Sequence, residues 1–260
     1  MNDATQARLF DTIPTDVEQV DHDRRHENDP TPRGVVRQAL DRLLEFRWST
    51  YHGRKLVHVA GEPVGNGGPL TALDWCAGSG AWSSELRAWA DRNGVDVEIT
   101  AVEIRPEESD NLDRWADRVI IGDWTAALDH GPFDLVVSNP AFSLFLAGLP
   151  RLLEHAESAI VLHTTETLQR TEAGAALARS HPPTLELGIP GSVRYRGASQ
   201  GADLRIYSVS AWTRAGVTAG SWTREILPTL PPAARGWRER PGAEQVLLPS
   251  WPTRPGWVAP

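Results

Sequence analysis

Two stretches decide the fold: LDWCAGSG at residues 73–80 and VVSNPAF at residues 136–142, some sixty residues further on. The first is a buried apolar run that passes into a glycine turn, the pattern of a parallel strand handing over to a helix. Gly78 and Gly80 remove side chains where the backbone must turn tightly or let a ligand approach closely. The second is another apolar run, and it stops at Asn139-Pro140-Ala141-Phe142.

Outward from these two, the chain alternates. Strands are predicted at 70–75, 97–102, 119–121, 133–138, 158–163, 185–189 and 204–212. Helices are predicted at 82–92, 107–116, 144–156 and 173–180. Such alternation predicts an α/β fold, a mostly parallel, seven-stranded, Rossmann-like sheet with helices on both faces and a late antiparallel hairpin. The segment VVRQALDRLLEF carries Val36, Leu40, Leu43 and Leu44 at helical spacing, with Thr31 as its cap and Pro32 in its first turn. Residues 61–69, GEPVGNGGP, read as a loop.

The ends differ from the middle. Residues 1–30 are acidic without apolar periodicity, which predicts a flexible segment. After residue 215 tryptophan and proline recur without a period, a non-core tail that either wraps the domain or stays flexible and that offers a surface for a protein partner. The expected organisation is therefore an acidic segment (1–30), one domain (31–215) and a Pro/Trp-rich tail (216–260).

The formal charge is −8, but it is uneven: residues 1–150 carry 14 Lys+Arg against 25 Asp+Glu, and residues 151–260 carry 12 against 9. A nucleic-acid-binding enzyme needs only a local basic footprint, so the total decides little. No apolar run approaches the roughly 20 residues that cross a bilayer, and the acidic start is unlike a signal peptide. Cys76 is the single cysteine, which excludes an internal disulfide and a Cys-rich zinc site and suits a reducing, cytoplasmic setting. The eight histidines follow no metal-ligand spacing, and no metal is expected.

In an open α/β sheet, ligands sit beyond the carboxyl ends of the strands. Glu103 ends the second predicted strand, where a carboxylate can accept both hydroxyl protons of a ribose. Asp123-Trp124 follows the third, where Asp can accept from an adenine amine and Trp can stack; Asp123 could equally cap a helix. A nicotinamide-type fingerprint is incomplete, because Ala81, Trp82 and Ser83 follow Gly80 without a third glycine. In the second stretch, the Asn139 side-chain oxygen and the Pro140 carbonyl can each accept one amine proton, while Phe142 stacks on a planar substrate.

Over residues 31–213 this order of motifs resembles the amino-methyltransferases whose fourth motif is Asp/Asn/Ser-Pro-Pro-aromatic, above all the DNA adenine-N6 methyltransferases, small phage-type members included. The resemblance implies S-adenosylmethionine as cofactor, held by Thr31, Asp74, Ala77, Gly78, Gly80, Glu103, Ile104, Asp123 and Trp124. It implies a catalytic group of Asn139, Pro140 and Phe142 and a nucleic-acid partner, DNA first. A late Arg-bearing loop would lie over the substrate, with Arg194, Arg196 and Arg205 as phosphate contacts. One departure is plain: Ala141 stands where the family has a second proline. RNA or protein glutamine as substrate, or a cofactor-binding protein without activity, stay open beside the DNA reading.

Overall fold

In the computed structural model, which describes residues 31–50, 52–190, 206–214 and 222–229, the chain enters through helix α1 (Arg33–Leu43). A three-stranded antiparallel meander follows: β1 (Leu44–Ser49), β2 (Arg54–Val59) and β3 (Glu62–Val64). The main sheet then alternates with helices. Its strands are β4 (Leu70–Trp75), β5 (Val97–Glu103), β6 (Arg118–Ile121), β7 (Phe133–Ser138), β8 (Ala156–Thr164), β9 (Leu185–Ile189), β10 (Tyr207–Thr213) and β11 (Thr223–Ile226). Between them lie α2 (Ala81–Asn93), the short α3 (Ser109–Leu112), α4 (Phe142–His155), α5 (Thr167–Arg170) and α6 (Glu172–Ser180).

The strand order is β11-β9-β10-β8-β7-β4-β5-β6. Only β10 runs against the others, paired antiparallel to β8 and to β9. The chain therefore reverses its direction of winding between β4 and β7. Loops leaving those two neighbours diverge at their carboxyl ends and open a crevice there.

Alternation along β4 makes the three layers. Leu70 and Ala72 join α1, α2 and the meander in one core, while Leu73 and Trp75 join Phe145, Leu149 and Leu152 of α4 in the other. Gly148 lets α4 lie against Trp75; a Cβ there would come within 2.5 Å of the indole.

Several sequence expectations are corrected. The sheet has eight strands, because β11, inside the stretch read as a tail, pairs parallel with β9. Two contacts dock this segment on α1: Arg42 binds the Glu225 carboxylate in a two-pronged contact, and Gln38 Nε2 donates to the Pro228 carbonyl at 2.9 Å. The first helix stops at Leu43, since Leu44 is extended and pairs with Val59. Part of the 61–69 loop is β3, with Pro63 tolerated on an edge strand. The helix expected at 107–116 shrinks to a 3-10 turn and α3, a segment crowded with Glu107, Glu108, Asp110 and Asp113.

Candidate functional site

The carboxyl ends of β5, β4 and β7 stand side by side, with Trp75 level with Val102 on one flank and Ser138 on the other. The residues that follow are thereby forced together: Cys76–Gly80 in the centre, Glu103 to one side, Asn139 to the other. Gly122 N donates to the Glu103 carbonyl at 2.9 Å, which brings Asp123 to the same edge.

The central turn is wound by left-handed residues. Cys76, Gly78 and Gly80 have φ of 56°, 56° and 81°, and Gly80 is the N-cap of α2. A side chain at Gly80 would meet Trp115 and Leu112 at 3.2–3.3 Å besides being strained. Ala77, buried beside Gly78, fixes the turn by donating its amide to the Val102 carbonyl.

Asp74 is fully buried. Its Oδ2 accepts from Ser83 N at 2.9 Å and Ser83 Oγ at 2.6 Å, while Oδ1 has no partner. Burial pushes this carboxyl up to about 7, with the nearby Glu103 acting in the same direction and the Ser83 hydrogen bonds opposing. A buried acceptor left open costs about 1–3 kcal/mol. A cationic donor reaching Oδ1 recovers that cost.

Glu103 is also buried, and both its oxygens are engaged. Oε2 accepts from Gly78 N at 2.7 Å; Oε1 accepts from Arg105 N and Arg105 Nε at 3.1 and 2.9 Å. Arg105 spans Glu103 and Glu108 and leans over Gly78. Sequence reading missed Arg105, for which no motif gives a signal, and missed Ser83. Ile104, next to Glu103, is 71% exposed, an apolar side chain held open at the rim.

Asp123 caps the 3-10 turn that follows β6, accepting from Thr125 N and Thr125 Oγ1. Trp124 sits edge-on to Trp75 at 5.5 Å, and the Arg151 guanidinium lies 5.2 Å over its ring.

On the other flank, Ser138 Oγ donates to the Trp75 carbonyl and ties the two turns together. Asn139 Nδ2 donates to Thr31 Oγ1 at 2.8 Å. Thr31 is therefore not the cap expected of it: Pro32 occupies the N-cap of α1, and the Thr31 hydroxyl serves Asn139. The amide orientation leaves Asn139 Oδ1 as the acceptor. Pro140 is buried, and Ala141, with φ −52° and ψ 136°, starts α4. Phe142 opens α4, but its side chain lies outside the described set, as do Arg194, Arg196 and Arg205. The Cys76 thiol is held well above its ordinary range by burial and by Glu103 and Asp74, although the Ala141 backbone hydrogen-bonds it.

His163 is buried at the end of β8, bonded to the Thr164 carbonyl and to Ser210 Oγ at 2.8 Å each and stacked on Phe145. Those contacts make it structural. Among the described residues no group of three metal-ligating side chains occurs, and no helix is long and apolar enough to cross a membrane.

No protein-family model matches the sequence, and no curated protein matches it. Solved structures do match. One is a protein assigned as a modification subunit of a type I restriction enzyme from Vibrio vulnificus YJ016, at 15% identity and TM-score 0.53 over 86% of this chain and 52% of that one. A second is a protein from Listeria monocytogenes assigned as a class I S-adenosylmethionine-dependent methyltransferase, at 13% identity and TM-score 0.53 over 86% and 71%. A third belongs to a type I restriction-modification assembly, at 16% identity and TM-score 0.53 over 78% and 45%. This chain thus spans about half the length of the first. At such identities the likeness establishes the fold alone, a mostly parallel, Rossmann-like α/β sheet.

Proposed function

We propose that the chain is an S-adenosylmethionine-dependent methyltransferase acting on an exocyclic amine, with adenine N6 in DNA as the substrate. The observation that carries this reading is the Thr31–Asn139 hydrogen bond, which leaves an amide oxygen fixed beside the glycine turn.

The residues fit the cofactor. Asp74 Oδ1 is an unpaired buried acceptor for an ammonium, and Glu103 suits ribose hydroxyls once Arg105 shares it. Ile104, Asp123 and Trp124 take the adenine end. The bound cofactor supplies an activated methyl group on a sulfonium.

Asn139 Oδ1 and the Pro140 carbonyl each accept a hydrogen bond from one N–H of the amine. They thereby localise the nitrogen lone pair, aim it in line and stabilise the charge that develops on nitrogen. Phe142 holds the ring, and Arg194, Arg196 and Arg205 take phosphates. Base methylation in a duplex also requires the target to be flipped from the stack. The DNA substrate draws support from the motif order and from structural likeness to proteins of restriction-modification systems.

The test is methyl-label transfer from S-adenosylmethionine to DNA, RNA and protein by the purified chain. Label on DNA, lost with Asn139→Ala, is expected; label on RNA or protein alone moves the substrate, and no label with intact cofactor binding indicates a non-catalytic binder.

A further inference from the structure

The β1–β2 hairpin belongs to no part of the site described above. In a chain of net charge −8, residues 44–59 contain Arg47, Arg54 and Lys55, the only lysine, against one carboxylate, Glu45. Trp48 is 60% exposed and pairs directly across the ladder with Lys55, while Arg54 is opposite Ser49. Arg47 is occupied by Glu45 at 3.3 Å and the Gly61 carbonyl at 3.1 Å. Among the described residues, no carboxylate lies within 4.0 Å of Arg54 or Lys55. Both are exposed and rest on the protein itself: Lys55 Nζ is 5.6 Å from the Phe46 ring centroid, and Arg54 lies against Gly67.

The hairpin's position follows from its neighbours. Phe46, Lys55 and Val57 line a cavity of about 190 Å³ together with Leu70, Asp96 and Asp134, which stand at the amino ends of β4, β5 and β7. Asn139 is at the carboxyl end of β7, so the two places are roughly 20 Å apart, the length of a six-residue strand.

We propose that the β1–β2 hairpin is a second nucleic-acid contact, remote from the catalytic turn, in which Arg54 and Lys55 take phosphates and Trp48 stacks on a base or sugar. The proposal rests on the nucleic-acid reading given above. Lys55 stands across from the exposed indole and Arg54 at the next position on the other face of the hairpin, while Asp96 and Asp134 line the cavity that Lys55 borders; two exposed cations and a planar side chain match an anionic polymer with planar faces. Contact at this end leaves the catalytic crevice open and lengthens the footprint, as suits a domain whose described part carries no separate recognition module.

The experiment measures binding of the full chain to a fluorescein-labelled DNA duplex, and to one of its single strands, by anisotropy across a salt series. The double variant Arg54→Ala/Lys55→Ala lowers the slope of log affinity against log salt by about one and a half to two. Trp48→Ala weakens single-strand binding about tenfold with little change of slope. Melting temperature and calorimetric affinity for S-adenosylmethionine stay at parental values, because the hairpin tip is exposed and remote. Parental DNA affinity and slope in both variants would overturn the proposal while leaving the nucleic-acid reading intact. An unmodified chain that binds no DNA at any salt overturns both together.

Discussion

Asn139 Nδ2 donates to Thr31 Oγ1 at 2.8 Å, joining two residues 108 positions apart and leaving Asn139 Oδ1 as the acceptor at the crevice. Thr31, two residues ahead of α1, is thus a fixture of the turn that follows β7. Its own position is held by α1, which is pinned to α2 by the two-pronged Arg37–Glu85 pair at 2.8 and 3.1 Å.

Thr31→Val keeps shape and removes the hydroxyl. Turnover should fall about tenfold, the scale of one hydrogen bond that matters mainly in the transition state, with cofactor affinity little changed. Thr31→Ser should recover most of it. Steady-state kinetics beside calorimetry checks this; a loss confined to cofactor affinity would assign Thr31 to the cofactor alone.

Asp74 has one oxygen satisfied by Ser83 and one open. Asp74→Asn should raise the melting temperature of the ligand-free chain near pH 8, because a buried charge disappears. The same change should weaken S-adenosylmethionine binding about tenfold or more, since the amide presents a donor where an acceptor is needed. Stabilisation with unchanged affinity would remove Asp74 from the site.

The pH dependence follows with a definite sign. The native pKa of Asp74, about 7, is above the unfolded carboxylate value of 3.8, so the unfolded chain releases this proton first as pH rises. Its contribution to stability is highest below pH 4 and is lost between about pH 4 and pH 7. Asp117 acts oppositely: burial raises its pKa, but hydrogen bonds from Ile99 N and Arg87 together with the Arg87 charge outweigh it and hold the pKa below the ordinary value, so its contribution is present above pH 4 and lost on acidification. The difference in stability between the parent and Asp74→Asn isolates the first effect; it should grow from pH 4 to pH 7 and then level off. A difference that stays flat across that range would contradict the assignment.

Ala141 already has a φ of −52°, within reach of proline, so Ala141→Pro should fold with a melting temperature within a few degrees of the parent. Proline has no N–H, however, and removes any contact that the Ala141 amide makes with the Cys76 sulfur. Turnover should therefore stay level or fall. A rise of about tenfold would show Ala141 to be a lesion in an enzyme that once had proline there.

Much of this arrangement was legible because buried parallel strands announce themselves. The runs at 70–75, 133–138 and 185–189 are strands to the residue, and each site candidate at a strand end falls at the same carboxyl edge. What escaped has local physical reasons. The meander hides because Leu40, Leu43 and Leu44 continue a helical period up to the residue that turns extended to pair with Val59. β11 hides because Thr223–Ile226 is a short edge strand amid tryptophan and proline, and only its pairing with β9 makes it part of the sheet. Thr31 has the sequence of a cap, and no local rule reveals that its hydroxyl is spent on a residue 108 positions away. Arg105 on Glu103 is a side-chain choice without a pattern.

The most direct test is nucleoside mass analysis of adenine-containing DNA incubated with S-adenosylmethionine and either the parent or Asn139→Ala. The parent should produce N6-methyldeoxyadenosine, and Asn139→Ala should lower its rate about a hundredfold or more while binding the cofactor normally. Methylation of DNA by Asn139→Ala at the parental rate, or a parent that binds cofactor and leaves every adenine unmodified, would contradict the assignment of this turn as an adenine-methylating centre.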